Sequence, residues 1–198
     1  MSPYCSCVQV ETIESERLDL VWLSPETIEA LLTGRLDAVD FKVPPGWPDD
    51  HDGRFLSFRL RQTTEDPSRA PWLVRAIVLK DEKRPMIGHI GFHGPPGVNA
   101  HKEPEALEIG YTIFAPYRQR GYASEAVRAL LGWAGRRGIH RFIASIAPDN
   151  EPSLALVRRL GFREVGRHWD EEDGEELEFE LRSPGPVMSV DETAGADA

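Results

Sequence analysis

Between Phe114 and Glu125 the chain reads Phe-Ala-Pro-Tyr-Arg-Gln-Arg-Gly-Tyr-Ala-Ser-Glu, an apolar run that gives way to a basic turn and then to small residues. Ala123, Ala126, Val127, Leu130, Leu131 and Ala134 follow at helical spacing, so the turn opens a helix. The first N–H groups of a helix have no intrahelical acceptor, and the aligned peptide dipoles put partial positive charge there, which makes the start an anion site. Gly121 lets the backbone approach a ligand, Ala123 keeps the first turn small, and Arg118 and Arg120 add charge; Gln119, Tyr122 and Ser124 complete the segment. The phosphate loops Gly-x-x-x-x-Gly-Lys-Ser/Thr and Gly-x-Gly-x-x-Gly are absent, because the turn holds one glycine and no lysine. A second candidate group is Glu108, a carboxylate inside an apolar strand-like run beside Gly110, which leaves space on the same face. A carboxylate in such a setting suits a general base, and a glutamate ion-paired at a strand edge is the alternative.

Downstream, Asn150-Glu151-Pro152-Ser153 leads into a helix that closes on Leu160-Gly161-Phe162, and upstream stands Leu107-Glu108-Ile109-Gly110-Tyr111. With Arg118-x-x-Gly121-x-Ala123 these strings resemble the signatures of the GNAT superfamily of N-acetyltransferases, in particular its RimJ/RimL-like branch. The resemblance covers roughly residues 13 to 182. It implies an acetyl-CoA-dependent enzyme in which an amine attacks the thioester directly in a ternary complex. By the same likeness, Ile113 and Phe114 contribute backbone amides to the acetyl and pantetheine portion, and Asn150 bonds the pantetheine arm. Arg118, Gln119, Arg120, Gly121, Tyr122, Ala123 and Ser124 cradle the pyrophosphate. Many relatives protonate the leaving thiolate with a tyrosine where this chain has Val157, so Ser153 takes that place here. Asn150 and Ser153 also read as ordinary helix-start residues, a cap and a first-turn serine.

These groups need a scaffold. Leu18 to Trp22 alternates as a strand, Ser24-Pro25-Glu26 caps a first helix that Gly34 ends, and Val43 to Pro48 is a loop. A second helix runs from near Asp52, strands follow at Trp72–Leu79, Met86–Phe92 and Leu107–Phe114, and the long helix extends to Gly138. A short buried strand (Arg141–Ala147), a helix from Pro152 and a hairpin of Phe162–Trp169 with Glu176–Leu181 complete the order. The strand-helix-strand passage over 107–147 requires one parallel pair and the hairpins require antiparallel ones, which gives an α+β fold with a mixed, mostly antiparallel sheet flanked by helices. The organisation read from this is a flexible leader (1–12), one acetyltransferase domain (13–182) and a disordered tail (183–198), within a length of 198 residues.

The formal net charge is −10, which argues against nucleic acid as a partner and for a cationic one. Asp170 to Glu180 holds eight carboxylates and no basic residue, and with Asp49 and Asp50 it reads as an acidic approach for a cationic amine: a peptide or protein N-terminus, a lysine or a polyamine. A solvated, merely solubilising hairpin tip is the other reading. A non-catalytic acyl-CoA sensor, a drug-modifying enzyme and a succinyl-transferring enzyme of the same fold are the alternatives of function. No run spans a bilayer and no secretory leader is visible, so the expected location is cytoplasmic, and a homodimer is compatible with the sequence. Cys5-x-Cys7 lacks further ligands, His89 and His93 read as packed or surface residues on one strand face, and no metal is implied.

Overall fold

A computed structural model of the chain describes residues 10–170 and 174–183. Cys5, Cys7, residues 171–173 of the acidic hairpin and all but the first residue of the expected tail lie outside the described residues. Eight strands form one sheet: β1 (Ile13–Glu14), β2 (Leu18–Trp22), β3 (Arg75–Leu79), β4 (Met86–Phe92), β5 (Ala106–Ile113), β6 (Arg141–Ile146), β7 (Arg163–Asp170) and β8 (Gly174–Arg182). Their order is β1-β2-β3-β4-β5-β6-β8-β7, with β5–β6 the parallel pair and every other pair antiparallel. The expected fold class therefore holds, and the parallel pair is the one that the crossover demanded.

Among the described residues four α-helices cover the sheet: α1 (Pro25–Leu32), α2 (Asp50–Glu65), α3 (Tyr122–Gly135) and α4 (Glu151–Arg159). Strand alternation divides the core between the two faces. Ile77 of β3 joins Val127, Leu130 and Leu154 under α3 and α4, whereas its neighbours Ala76 and Val78 join Ile28, Leu31 and Leu56 under α1 and α2. Ser24 caps α1 by accepting the Thr27 N–H, as its sequence required.

Two differences from the sequence reading have local causes. The expected strand from Trp72 starts only at Arg75, because Pro67 and Pro71 help shape a 3-10 turn over Pro67–Trp72 whose cap, Asp66, accepts the Ser68 N–H. The engaged chain also begins before Ile13: the Glu11 carboxylate accepts the Trp133 indole N–H at 2.7 Å and pairs with Arg137, and its carbonyl accepts from the buried Arg75. Among the described residues no helix is long and apolar enough to cross a membrane.

Candidate functional site

The site is organised by the end of β5. It pairs with β6 over only three positions, Ala106↔Arg141, Leu107↔Phe142 and Glu108↔Ile143, and beyond Glu108 the two strands diverge. On the other side β5 stays paired with β4 as far as Gly88↔Ile113. The His93 N–H donates to the Glu108 carbonyl and the Phe114 N–H to the Ile87 carbonyl, which fixes the alternation: Glu108, Gly110, Thr112 and Phe114 turn their backbone groups to β4. Tyr111 and Ile113 turn theirs into the gap left by β6.

A cleft of about 660 Å³ opens at this gap on the α3/α4 side. Its wall includes Ile113, Arg118, Gln119, Gly121, Tyr122, Ala123, Ser124, Asn150 and Ser153, so most of the residues singled out by the sequence come together there. Two do not. The Phe114 N–H is already committed to Ile87 and its ring packs 6.0 Å from Trp47 on the opposite face. The reason is elementary, since successive residues of a strand point opposite ways and adjacent amides cannot both face one gap. Arg120 is exposed and outside the wall, although its carbonyl accepts from Arg17 at 3.3 Å.

The turn itself is shaped for close approach. Gln119 and Gly121 have φ of 60° and 80°, and no side chain caps α3, so its first N–H groups are left for a ligand. Arg17 holds the turn from behind: its guanidinium pairs with Glu125 at 2.6 Å, its N–H donates to the same carboxylate at 2.7 Å, and it lies 4.6 Å over the Tyr122 ring. Burial alone would raise the Glu125 pKa, but the Arg17 N–H, the Ser15 hydroxyl and the Arg17 guanidinium together hold it below the ordinary value. Arg118 folds its Nε back on the Ile113 carbonyl at 2.9 Å.

On α4, the Asn150 Oδ1 accepts the Ser153 N–H at 3.3 Å, so its capping role is real and leaves the amide NH₂ to serve the cleft. Val157 is buried in the core. A tyrosine is nevertheless present, from the strand instead of the helix: the Tyr111 hydroxyl is buried with no hydrogen bond of good geometry, and burial pushes its pKa up while the neighbouring Ser153 side chain acts the other way. Tyr111 escapes the sequence pattern because the family's tyrosine falls on the helix, and Arg17 escapes it because 108 residues separate it from Glu125.

Behind β5, on the α2 side, lies a second cavity of about 490 Å³. Gly91 and Gly110 are directly paired there, and His89, Thr112, Phe55 and Asp52 stand around them. Tyr111 and Thr112 line both cavities, so the two meet across one strand. His89 and His93 both border this cavity, and the packed or surface roles read for them hold as well, His89 packing on Phe55 and His93 being half-exposed. His89 lies 3.5 Å from Asp52 and stacks on Phe55 at 5.2 Å. The His89 imidazole holds the Asp52 carboxyl below its ordinary pKa, against the effect of burial. Glu108 is 4% exposed; its Oε2 accepts the Ala100 N–H and its Oε1 the Ser145 hydroxyl, each at 2.7 Å. The His93 Nδ1 lies 3.6 Å from that Oε1, and a methyl on Gly110 would come within 3.3 Å of the His93 Nε2. His93 therefore stands between Glu108 and the cavity. A third hollow, about 720 Å³ and open, lies around Asp50 and Arg54 and shares no residue with either cavity.

The family model for the acetyltransferase (GNAT) domain matches residues 17–163. The chain belongs to the GNAT acetyltransferase family. Its similarity to the uncharacterized N-acetyltransferase YnaD of Bacillus subtilis is 35% identity over 91 residues, 46% of this chain and 49% of that protein. The chain thus spans about half the length of this curated relative. A GNAT-family acetyltransferase of Bordetella pertussis superposes with a TM-score of 0.64 at 24% identity, over 86% of this chain and 99% of that one. The ribosomal L7/L12 α-N-protein acetyltransferase RimL, solved with coenzyme A, superposes at 0.60 with 20% identity, over 87% and 98%. At these identities the solved structures establish the GNAT fold. The family uses acetyl-CoA, and the first cleft fits that group on its own features: uncapped helix N–H groups, outward-facing Tyr111 and Ile113 amides, and a buried hydroxyl with no hydrogen bond of good geometry.

Proposed function

We propose that the chain is an acetyl-CoA-dependent N-acetyltransferase that passes the acetyl group to a primary amine in a ternary complex. The observation that carries this reading is the meeting of two cavities across Tyr111 and Thr112, one suited to coenzyme A and one holding His93 backed by Glu108. The α3 N–H groups with Gln119, Gly121, Tyr122, Ala123 and Ser124 hold the pyrophosphate, and the Tyr111 and Ile113 backbone with the Asn150 amide orient the pantetheine arm. When bound, acetyl-CoA supplies the activated acetyl group.

His93 takes a proton from the incoming ammonium, and Glu108 steadies the imidazolium that results. The amine nitrogen bonds the carbonyl carbon as the carbon–sulfur bond breaks. The departing sulfur takes a proton from the Tyr111 hydroxyl, with Ser153 beside it, and the second proton shed by the nitrogen restores that hydroxyl; the products are an N-acetyl amine, free thiol and the one proton held by His93, which passes to solvent. Glu108 thereby keeps a place in proton transfer, one side chain removed from the amine. A peptide or protein N-terminus, the acceptor that the RimJ/RimL likeness implies, is the second reading, and peptides in the amine panel decide between the two.

Thiol release from acetyl-CoA with a panel of amines is the direct test. Glu108→Gln and His93→Gln are each expected to lower kcat by roughly 10²- to 10⁴-fold with coenzyme A affinity kept. Near-normal turnover in both variants would remove the dyad from the mechanism, and no thiol release with any amine would remove the transfer reading and favour an acyl-CoA sensor.

A further inference from the structure

Among the described residues two guanidinium groups are buried, each with an Nε that meets no acceptor, and they differ in what their other nitrogens meet and in that Arg59 alone lines a cavity. Arg75, 0% exposed, donates to three backbone carbonyls, those of Glu11, Leu20 and Pro71. Arg59 on α2 is 8% exposed and is held through one nitrogen only: its Nη1 donates to the His93 carbonyl at 3.0 Å and to Gln62 Oε1 at 2.9 Å. Its Nε is buried with no acceptor. The Asp52 carboxylate in the cavity wall faces His89, Glu108 behind it faces His93, and Arg59 forms no ion pair among the described residues. The Phe55 ring, 5.0 Å from its guanidinium carbon, offsets the charge in part. Burial pushes its pKa down to about 10, so it remains a cation at neutral pH.

A buried cation without a counter-ion is destabilising unless something else supplies the negative charge. Arg59 lines the second cavity, and its hydrogen bond to the His93 carbonyl makes it the neighbour of the group that receives the acceptor's proton. Resting on the acetyltransferase reading, we propose that this cavity takes an amine carrying a carboxylate on the same small molecule, an amino acid, with the carboxylate held by Arg59. Guanidinium and carboxylate match in shape and hydrogen bonding. The cation and the His93–Glu108 pair are adjacent, which suits an acceptor whose carboxylate and amine are a few bonds apart. Asp52 and Glu108 leave the cavity hospitable to the ammonium end, so a zwitterion complements it better than either charge alone.

The test compares amino acids with their own carboxamides, from glycine and glycinamide to phenylalanine and phenylalaninamide, as acceptors in the thiol-release assay. Wild-type protein should favour the acid in kcat/KM on the order of 100-fold, the scale of stranding a buried charge without its partner. In Arg59→Met that ratio should fall to near one. The Tm of the unliganded variant should stay level or rise, because an apolar side chain of similar length replaces an uncompensated buried charge. Equal kcat/KM for acids and amides in wild type, or equally good turnover of peptide amides, overturns the proposal. So does an Arg59→Met variant that keeps the acid preference, or one that loses acid and amide turnover alike while its Tm drops by several degrees. Calorimetric titration of amino acids into the coenzyme A complex separates this inference from the one beneath it. Arg59-dependent binding without thiol release retains the carboxylate site and removes acetyl transfer. Thiol release from simple amines with no amino-acid binding at millimolar concentration retains transfer and removes the site.

Discussion

Arg17 and Glu125 face each other across the turn on which the coenzyme cleft is built, and their pairing answers an electrostatic difficulty. A carboxylate in the first turns of α3 stabilises the helix but repels the pyrophosphate that the same N–H groups must bind. Neutralised by Arg17 and bonded to Ser15, it anchors the turn without opposing the ligand. Arg17→Ala should therefore weaken coenzyme A binding by roughly tenfold, measured by calorimetry, because it removes a charge-assisted bond and bares the carboxylate. The pH dependence has a definite sign. Glu125 and Glu180 both have folded-state pKa values below the ordinary 4.5, so the stability they contribute is complete above that value and is lost as pH falls through the lower folded values. Melting curves between about pH 6 and 3 should show Tm falling, with a shallower fall in Glu125→Gln.

At the scale of elements, β5 does most of the positioning. Its splay from β6 frees the Tyr111 and Ile113 amides, its pairing with β4 commits the Phe114 amide, and its small residue, Gly110, leaves room for the His93 ring. Gly110→Ala should lower kcat about tenfold or more with little change in Tm, since the added methyl meets the tip of an imidazole and not backbone. Gly88→Ala should instead prevent folding or lower Tm steeply, because its methyl would fall 2.0 Å from the Thr112 carbonyl oxygen. This difference also marks what the sequence made legible. Period, caps and breakers were enough for α1, β4 and the crossover, and fixed spacing was enough to pick out Gly121, Asn150 and Ser153 as residues that share one cleft wall. The strand's parity was not legible in motif spacing, so Phe114 was grouped with Ile113. Contacts made across the sheet, such as Arg17 with Glu125 or His93 with Glu108, leave no periodic trace at all.

For the whole molecule, the surplus of acid matters most through long-range attraction. The net charge of −10 favours the approach of positively charged amines, although Glu175, Glu176, Glu178 and Glu180 of β8 each face an Arg or His and contribute less to that field. For amines without a carboxylate, kcat/KM should fall several-fold between about 20 and 300 mM salt, and for zwitterionic acceptors much less. A flat salt profile for the cationic series would mean that the acid aids solubility alone.

The three-residue join between β5 and β6 has a further consequence, for motion. With so short a ladder, the strands on either side of it are fastened to each other mainly by the helices packed across them and by whatever occupies the gap. Native-state hydrogen exchange should show alternation along one strand: the Thr112 and Phe114 amides slow with or without coenzyme A, those of Tyr111 and Ile113 fast without it and slowed when it binds. Bound coenzyme A would then behave as a ninth strand, and its departure would let the two parts of the sheet breathe independently.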